Sequence, residues 1–189
     1  MEHECVNEII MKGIVFTELL ELVEDKFGLE TVDYIISNSD LESNGIYTSV
    51  GIYSFSELSQ LLQHLSERTQ ISIDNLLLVY GEYFFRVLEK SCPELLLAYT
   101  DPIEMISAIE SIIHFGAGKI YLDLELPAFK VIEKTENSLI IDYKSSRAMC
   151  YFSLGLMNKT FEFFNSTATI ELEKIMEDGT EVRFVIHKN

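Results

Sequence analysis

The segment LIIDYKSSR, residues 139–147, passes from an apolar run into a cluster of polar side chains. Its start is typical of a β-strand, in which alternate residues point to the same side. If the strand continues through the segment, Tyr143, Ser145 and Arg147 present two hydroxyls and a guanidinium to one place. All three can donate hydrogen bonds, and the arginine is always charged. The cluster suits a ligand with carboxylates or phosphates, although a plain strand end turning into a helix fits the pattern as well.

The second half of the chain, from Pro127 onward, combines strands with one helix. Alternation of apolar and polar residues predicts two hairpins, one around Glu-Asn at 136–137 and one around Asp-Gly at 178–179. A helix over residues 149–164 is predicted between the two hairpins. The expected strands are 129–134, 139–143, 167–175 and 182–187.

The first half of the chain has the apolar periodicity of helices. Ser54 is expected to cap one of them, with Glu57 three residues on as in a capping box. Helices followed by strand hairpins indicate an α+β domain with an antiparallel sheet. The predicted helices are 11–27, 31–37, one from Ser54, one from Asp74, one from Pro93 and one over 102–119.

Composition limits the class of protein. The 189 residues suit one domain, and 48% hydrophobic residues can fill a sizeable core. The net charge of -17 repels phosphates and anionic lipids, so neither nucleic acid nor a membrane surface is an expected partner. The amino terminus is acidic and no apolar run approaches a span of about 18 residues, so we expect a cytoplasmic protein. Cys5, Cys92 and Cys150 are odd in number and widely spaced, which favours reduced thiols.

Five short motifs, in this order and at these separations, make the chain similar to the heme-nitric oxide/oxygen binding (H-NOX) domains. They are Met11-Lys12-Gly13, YGEYFF at 80–85, Ile112-Ile113-His114, Leu126-Pro127 and Tyr143-x-Ser145-x-Arg147. The resemblance covers residues 11–189 and leaves 1–10 as an N-terminal extension. It implies a bacterial, stand-alone domain with a helical part over about 11–120 and a helix-plus-sheet part over about 127–189. Heme b (iron protoporphyrin IX) would be held between the two parts.

The resemblance also assigns roles to single residues. It makes His114 the proximal ligand of the heme iron, and Tyr143, Ser145 and Arg147 the clamp on the two heme propionates. From the residues alone, a lone histidine beside an apolar helical stripe is more often a packed side chain, but the downstream arginine cluster favours the ligand. Pro127 matches the family proline that presses on the porphyrin. A proline that merely starts the sheet half explains its presence equally well.

The family's distal heme lining corresponds to apolar residues in this chain. Phe152 is the informative position, because the resemblance places a tyrosine there in oxygen-binding relatives. Bound dioxygen is stabilised by a nearby donor, whereas NO binds ferrous heme tightly without one, so we expect the pocket to disfavour oxygen. Ordinary core packing explains the same residues. The lining positions are Val15, Leu19, Phe84, Phe85, Leu88, Phe152 and Leu156.

The implied function is that of a heme-based nitric oxide sensor, not of an enzyme. NO at ferrous heme would weaken the bond to His114 and shift its helix relative to the sheet half. Since the sequence shows no output domain, the expected partner is a separate protein, either a histidine kinase of two-component signalling or a cyclic-di-GMP enzyme.

Two alternatives stay open at this point. The first is a heme-free protein-interaction or thiol-redox regulator that acts through Cys5 or Cys150. The second is an oxygen sensor or carrier, which needs a distal hydrogen-bond donor that the predicted lining does not provide. A visible spectrum separates them, because only the first lacks a heme band and only the second forms a stable complex in air.

Overall fold

The computed structural model describes residues 9–91, 93–117 and 126–189, with side chains described for all of these except 114–117. The chain divides into two compact units, Met1–Leu76 and Leu77–Asn189. Both units combine helices with antiparallel strand pairs, so the predicted α+β class is confirmed. None of the described helices is both long and apolar enough to cross a membrane.

The first unit consists of two short strands and three helices. These are β1 (Ile10–Lys12), α1 (Ile14–Phe27), α2 (Leu29–Asn38), β2 (Ile52–Ser54) and α3 (Phe55–Thr69). The helix predicted over 11–27 begins only at Ile14, because β1 pairs antiparallel with β2. Gly13 makes the junction, since a Cβ there would lie 1.9 Å from the carbonyl oxygen of Thr48.

The start of α3 corrects one prediction. Ser54 caps the helix as expected, because its Oγ accepts from the backbone N–H of Ser56 at 3.2 Å. Glu57 does not complete a capping box. Its carboxylate is buried and accepts hydrogen bonds from the Ser43 Oγ at 2.5 Å and the Tyr47 hydroxyl at 2.7 Å. Glu57 therefore fastens the loop between α2 and β2 to α3.

The second unit holds a four-stranded sheet and most of the remaining helices. The sheet order is β3-β4-β6-β5, with every neighbouring pair antiparallel. The helix predicted over 102–119 is two helices, separated at Ala108. The elements are α4 (Ile73–Ser91, in this unit from Leu77), α5 (Pro93–Leu97), α6 (Pro102–Ser107), α7 (Ile109–Ala117), β3 (Ala128–Lys134), β4 (Ser138–Lys144), α8 (Cys150–Phe163), β5 (Ala168–Lys174) and β6 (Glu181–Lys188).

One face of this sheet forms the core of the second unit. Alternate residues of β4 and β6 are buried, as the period of two in their sequences predicts. They pack with Met157 and Phe161 of α8 and with Ile106 of α6. The opposite face carries a bidentate ion pair, in which Arg183 donates to Asp142 at 2.7 and 3.0 Å. The sheet therefore holds α6 and α8 against its apolar face.

Candidate functional site

The polar cluster predicted at residues 143–147 is present, but a strand does not build it. Strand β4 ends at Lys144, so alternation alone does not bring the three side chains together. A turn follows, in which Ser145 donates its backbone N–H to Thr180 O at 2.9 Å and accepts that of Ala148 at 3.2 Å. Tyr143, Ser145 and Arg147 are only 2%, 5% and 9% exposed. The turn thus buries two hydroxyls and a guanidinium within five residues.

The Tyr143 hydroxyl stands at the centre of this cluster. It hydrogen-bonds Ser145, accepts the backbone N–H of Met149 at 3.1 Å, and lies in the field of Arg147. Burial raises the pKa of Tyr143 above its ordinary value, against the smaller lowering by Ser145, Met149 and Arg147. The phenol therefore stays protonated at neutral pH and can donate a hydrogen bond. Its ring packs edge-on against Phe129 of β3, with centroids 5.3 Å apart.

The two predicted residues that would face the heme iron and porphyrin lie on either side of a stretch outside the described residues. His114 belongs to α7, and its side chain lies outside the described residues. Pro127 is half-buried and directly precedes β3. Their placement against a ligand therefore stays a prediction.

The predicted distal residues of the second unit fall into two packed groups. Phe84 and Phe152 contact each other across α4 and α8, with ring centroids 5.4 Å apart. Phe85, Leu88 and Leu156 belong to a neighbouring cluster built around Leu96 and Met105. All five side chains are buried or half-buried, so the structure places an apolar region along the line where α4 and α8 meet.

Two glycines allow α4 and α8 to meet closely. A Cβ on Gly81 would lie 2.1 Å from the carbonyl oxygen of Phe152, and one on Gly155 would lie 2.2 Å from that of Leu78. The two helix backbones are therefore in direct contact at this point. This contact sets Phe152 beside the rings of α4.

One aromatic residue of this group, Tyr80, was not among the predicted lining residues. Tyr80 is fully buried, and its ring centroid lies 5.1 Å from that of Phe152 and 5.8 Å from that of Phe84. The signal was present in the sequence, because Tyr80 precedes Phe84 by one helical turn and so shares its face. Tyr83, by contrast, lines a groove of about 380 Å³ with Arg86 and Lys159.

The predicted distal residues of the first unit both lie on α1. Leu19 is 1% exposed and Val15 is half-buried. Within that unit, Phe16 of the same helix stacks on Tyr47 with centroids 4.6 Å apart. Leu19 is thus a buried apolar residue and Val15 a half-buried one, and their role as lining stays a prediction.

The described residues offer little to a metal bound by several side chains or to a reactive thiol. They contain no group of three or more histidine, cysteine or acidic side chains that could hold a metal ion. Cys150 is 1% exposed, which disfavours thiol oxidation as its role.

Comparison with known proteins gives one consistent result. The family model described as Haem-NO-binding matches residues 12–172. An H-NOX protein from K. algicida, solved in the Fe(II) unliganded state, is 66% identical, with a TM-score of 0.92 over 95% of this chain and 97% of that chain. The IWP-051-bound H-NOX from Shewanella woodyi in the Fe(II)CO ligation state is 37% identical, with a TM-score of 0.78 over 95% of each chain. An H-NOX protein from S. oneidensis in the Fe(II)NO ligation state is 22% identical, with a TM-score of 0.84 over 95% and 99%, and supports the fold alone. No curated protein matches the chain.

Proposed function

The chain belongs to the Haem-NO-binding (H-NOX) family of heme-based gas sensors, and from that membership we propose that it senses nitric oxide at ferrous heme and signals to a separate protein. Heme is the cofactor of this family. The proposal has three parts, which are the anchoring of the heme, the choice of gas and the transfer of the signal. The described residues support the first two by their chemistry and burial.

Anchoring is assigned to the cluster of Tyr143, Ser145 and Arg147, and this cluster is the observation that carries the proposal. A heme edge carries two carboxylates, which require donors and a compensating positive charge. The cluster offers two hydroxyls and a guanidinium, all at most 9% exposed, in a protein of net charge -17. Low exposure strengthens each of these interactions, because water competes less for the donors. The residues present therefore fit the group.

His114 is proposed as the proximal ligand and Pro127 as the residue that presses on the porphyrin. Heme, when bound, would supply the ferrous iron at which NO binds. His114 would be the residue that holds the iron, through a neutral imidazole nitrogen, and α7 carries this residue. A weaker hold by His114 would leave α7 able to shift relative to β3, which makes this helix the proposed moving element.

The apolar distal region supports selectivity for NO. Phe84 and Phe152 offer no hydrogen-bond donor, and dioxygen depends on one more than NO does. Phe85, Leu88 and Leu156 complete the proposed lining in the second unit. The 37% identical relative from Shewanella woodyi was solved with CO on Fe(II), so a related chain accepts a diatomic gas.

Signal transfer to a second protein, in the cytoplasm, completes the proposal. A histidine kinase or a cyclic-di-GMP enzyme is the proposed class of partner, and the chain itself would perform no chemistry on a substrate. The net charge of -17 would steer it toward a basic surface on that partner.

The test is the visible spectrum of the dithionite-reduced protein, recorded alone, with NO and in air. We expect a strong Soret band that shifts with NO and no stable complex with oxygen. A stable oxygen complex would contradict the distal assignment and keep the heme site. A protein that stays colourless after addition of heme would leave the heme-free interaction module as the better reading.

A variant tests the proximal assignment separately. His114→Gly should lose the bond between protein and iron, which changes the ferrous spectrum, and added imidazole should restore it. His64→Gly is the matched control, because His64 lies in α3 and hydrogen-bonds Glu67 at the surface. An unchanged ferrous spectrum for His114→Gly would end this assignment.

A further inference from the structure

A glutamate on α7 reaches across to the first residues of β3. Glu110 Oε2 accepts the backbone N–H of Phe129 at 2.5 Å, although the two residues are 19 positions apart. Glu110 is half-buried and Phe129 is 5% exposed, so water competes little for this hydrogen bond. The donor is a backbone group, so the bond fixes the course of the chain at residue 129 and not merely a side chain.

Glu110 lies on the same helix as the proposed proximal ligand. Glu110 and His114 lie four residues apart on α7, which is about one turn. Phe129 comes two residues after Pro127. One hydrogen bond therefore joins the helix of the proposed proximal ligand to the segment of the proposed porphyrin-contacting proline.

The connection continues from Phe129 into the propionate clamp. Phe129 pairs with Tyr143 in the β3–β4 register, and their rings meet edge-on with centroids 5.3 Å apart. Tyr143 in turn accepts the N–H of Met149 at the start of α8. A displacement of Phe129 would therefore displace Tyr143, at the centre of the proposed clamp, because close-packed cores transmit small shifts.

We propose that Glu110 is a positioning residue, which couples α7 to β3 so that a movement of the proximal helix reaches Pro127, Phe129 and Tyr143. The inference rests on the proposed heme site and adds to it the element that joins its two sides. Glu110 itself contacts neither gas nor iron in this scheme. It acts by holding a backbone N–H at a set distance from the helix.

Two other polar contacts between helices and sheet, among the residues that the structure describes, involve α6 and not α7. Lys134 of β3 donates to Glu104 Oε2 at 2.7 Å and to the Ser107 hydroxyl at 3.0 Å, but both partners lie on α6 and the Glu104 side chain is 60% exposed. Lys188 of β6 contacts Asp101, which caps α6. Glu104 therefore provides a matched control for Glu110, since it also links a helix to β3 but not the helix of His114.

The experiment uses the full-length, heme-loaded protein with Glu110→Ala, Glu110→Gln and the control Glu104→Gln. Two readouts are recorded, namely amide hydrogen exchange at Phe129 by NMR and the iron–histidine stretching band by resonance Raman in the ferrous state. We expect Glu110→Ala to speed exchange at Phe129 about tenfold, as for one lost hydrogen bond, and to shift the band. Glu110→Gln should keep the exchange rate and the band close to those of the wild type, because its amide oxygen can still accept the hydrogen bond. The control should leave both unchanged.

A second variant guards against a poorly folded alanine protein. Glu110→Asp keeps the charge but withdraws the carboxylate by one methylene, so we expect it to behave like Glu110→Ala. Unchanged exchange and an unchanged band in both variants, with full heme loading, would overturn the coupling and leave the heme proposal intact. A wild-type protein that binds no heme would overturn both, and the spectrum alone would show which had failed.

Discussion

In the described part of the chain, two charged side chains are buried, Glu57 in the first unit and Arg147 in the second. Glu57 is surrounded by groups of complementary kind, since Ser43 and Tyr47 both donate to it. Arg147 lies instead beside the hydroxyls of Tyr143 and Ser145, which are able to donate as the guanidinium is, and its backbone N–H donates to the Ser145 Oγ at 3.3 Å. Glu57 thus has donors of its own within the protein, whereas Arg147 shares its place with two further groups that can donate.

This difference distinguishes a buried charge that stabilises the fold, Glu57, from a buried charge that is proposed to bind a ligand, Arg147. Burial raises the pKa of Tyr47, with a further contribution from Glu57, so the tyrosine stays a donor and the arrangement is complete within the protein. A group of donors, by contrast, gains most from an external acceptor with several oxygens, such as a pair of carboxylates. We therefore expect loss of Glu57 to be felt mainly in stability and loss of Arg147 mainly in heme affinity.

The largest effect is expected for Glu57→Ala. This change leaves the hydroxyl and N–H of Ser43 and the hydroxyl of Tyr47 without their buried acceptor, which should lower the free energy of unfolding by about 3 kcal/mol. Urea denaturation measures it. Glu67→Ala on the same helix is the control, because its contacts with Gln63 and His64 are at the surface and should be worth less than about 0.5 kcal/mol. Equal stability losses in the two variants would remove the distinction.

The next effect in size is expected for Arg147→Ala. Loss of the guanidinium should weaken heme binding roughly 10- to 100-fold, as for one charge-assisted hydrogen-bonding group, and speed transfer of heme to an acceptor protein. Lys144→Ala is the control, since this side chain is 72% exposed and pairs with Glu181 at the surface. If Arg147→Ala keeps its heme as well as the control does, the donor cluster is not the clamp.

Much of the second unit was predictable because its signals are local. The alternation in β4 and β6 and the Asp-Gly turn each involve neighbours in sequence, and the structure has the hairpins at those places. The cluster residues were also found, although for an incomplete reason. Ser145 and Arg147 reach Tyr143 through a turn in which Ala148 adopts a φ of 50°, and nothing in an alanine indicates such a backbone.

The features that were predicted wrongly share a physical cause. The residue that determines each of them either lies far away in the sequence or is of a type that gives no local signal. Strand β1 has three residues and exists because it pairs with β2, some forty positions later. Glu57 looked like a capping residue because its true donors lie 10 and 14 residues away. The break at Ala108 falls on a good helix former, so no glycine or proline marked it.

A smaller effect is expected when a hydroxyl is introduced into the apolar region where α4 and α8 meet. Phe152→Tyr adds a hydroxyl beside Phe84, which should raise oxygen affinity roughly five- to tenfold, as for one hydrogen bond of about 1 kcal/mol. Spectra recorded under defined oxygen pressures measure it. Phe161→Tyr, also on α8 but packed in the core against the sheet, is the control and should leave oxygen affinity unchanged. An equal change of oxygen affinity in the two variants would mean that Phe152 does not face the bound gas.

The smallest effect is expected for Asp101, a half-buried acid, whose exposure lies between that of Glu57 and that of Glu67. Burial alone would raise the pKa of Asp101, but Lys188 and the backbone N–H groups of Glu104 and Ile103 together hold it below its ordinary value of 3.8. Because the folded pKa is depressed, the stabilisation is present above pH 3.8 and is lost as the pH falls through the folded pKa. Asp101→Asn should therefore lower the urea midpoint at pH 7 and approach the wild-type midpoint in acid. In a protein that already carries Lys188→Gln, Asp101→Asn should lower the urea midpoint at pH 7 by less, because the cation is gone. A gap that persists undiminished at low pH would show that the carboxylate acts only as a helix cap, independent of its charge.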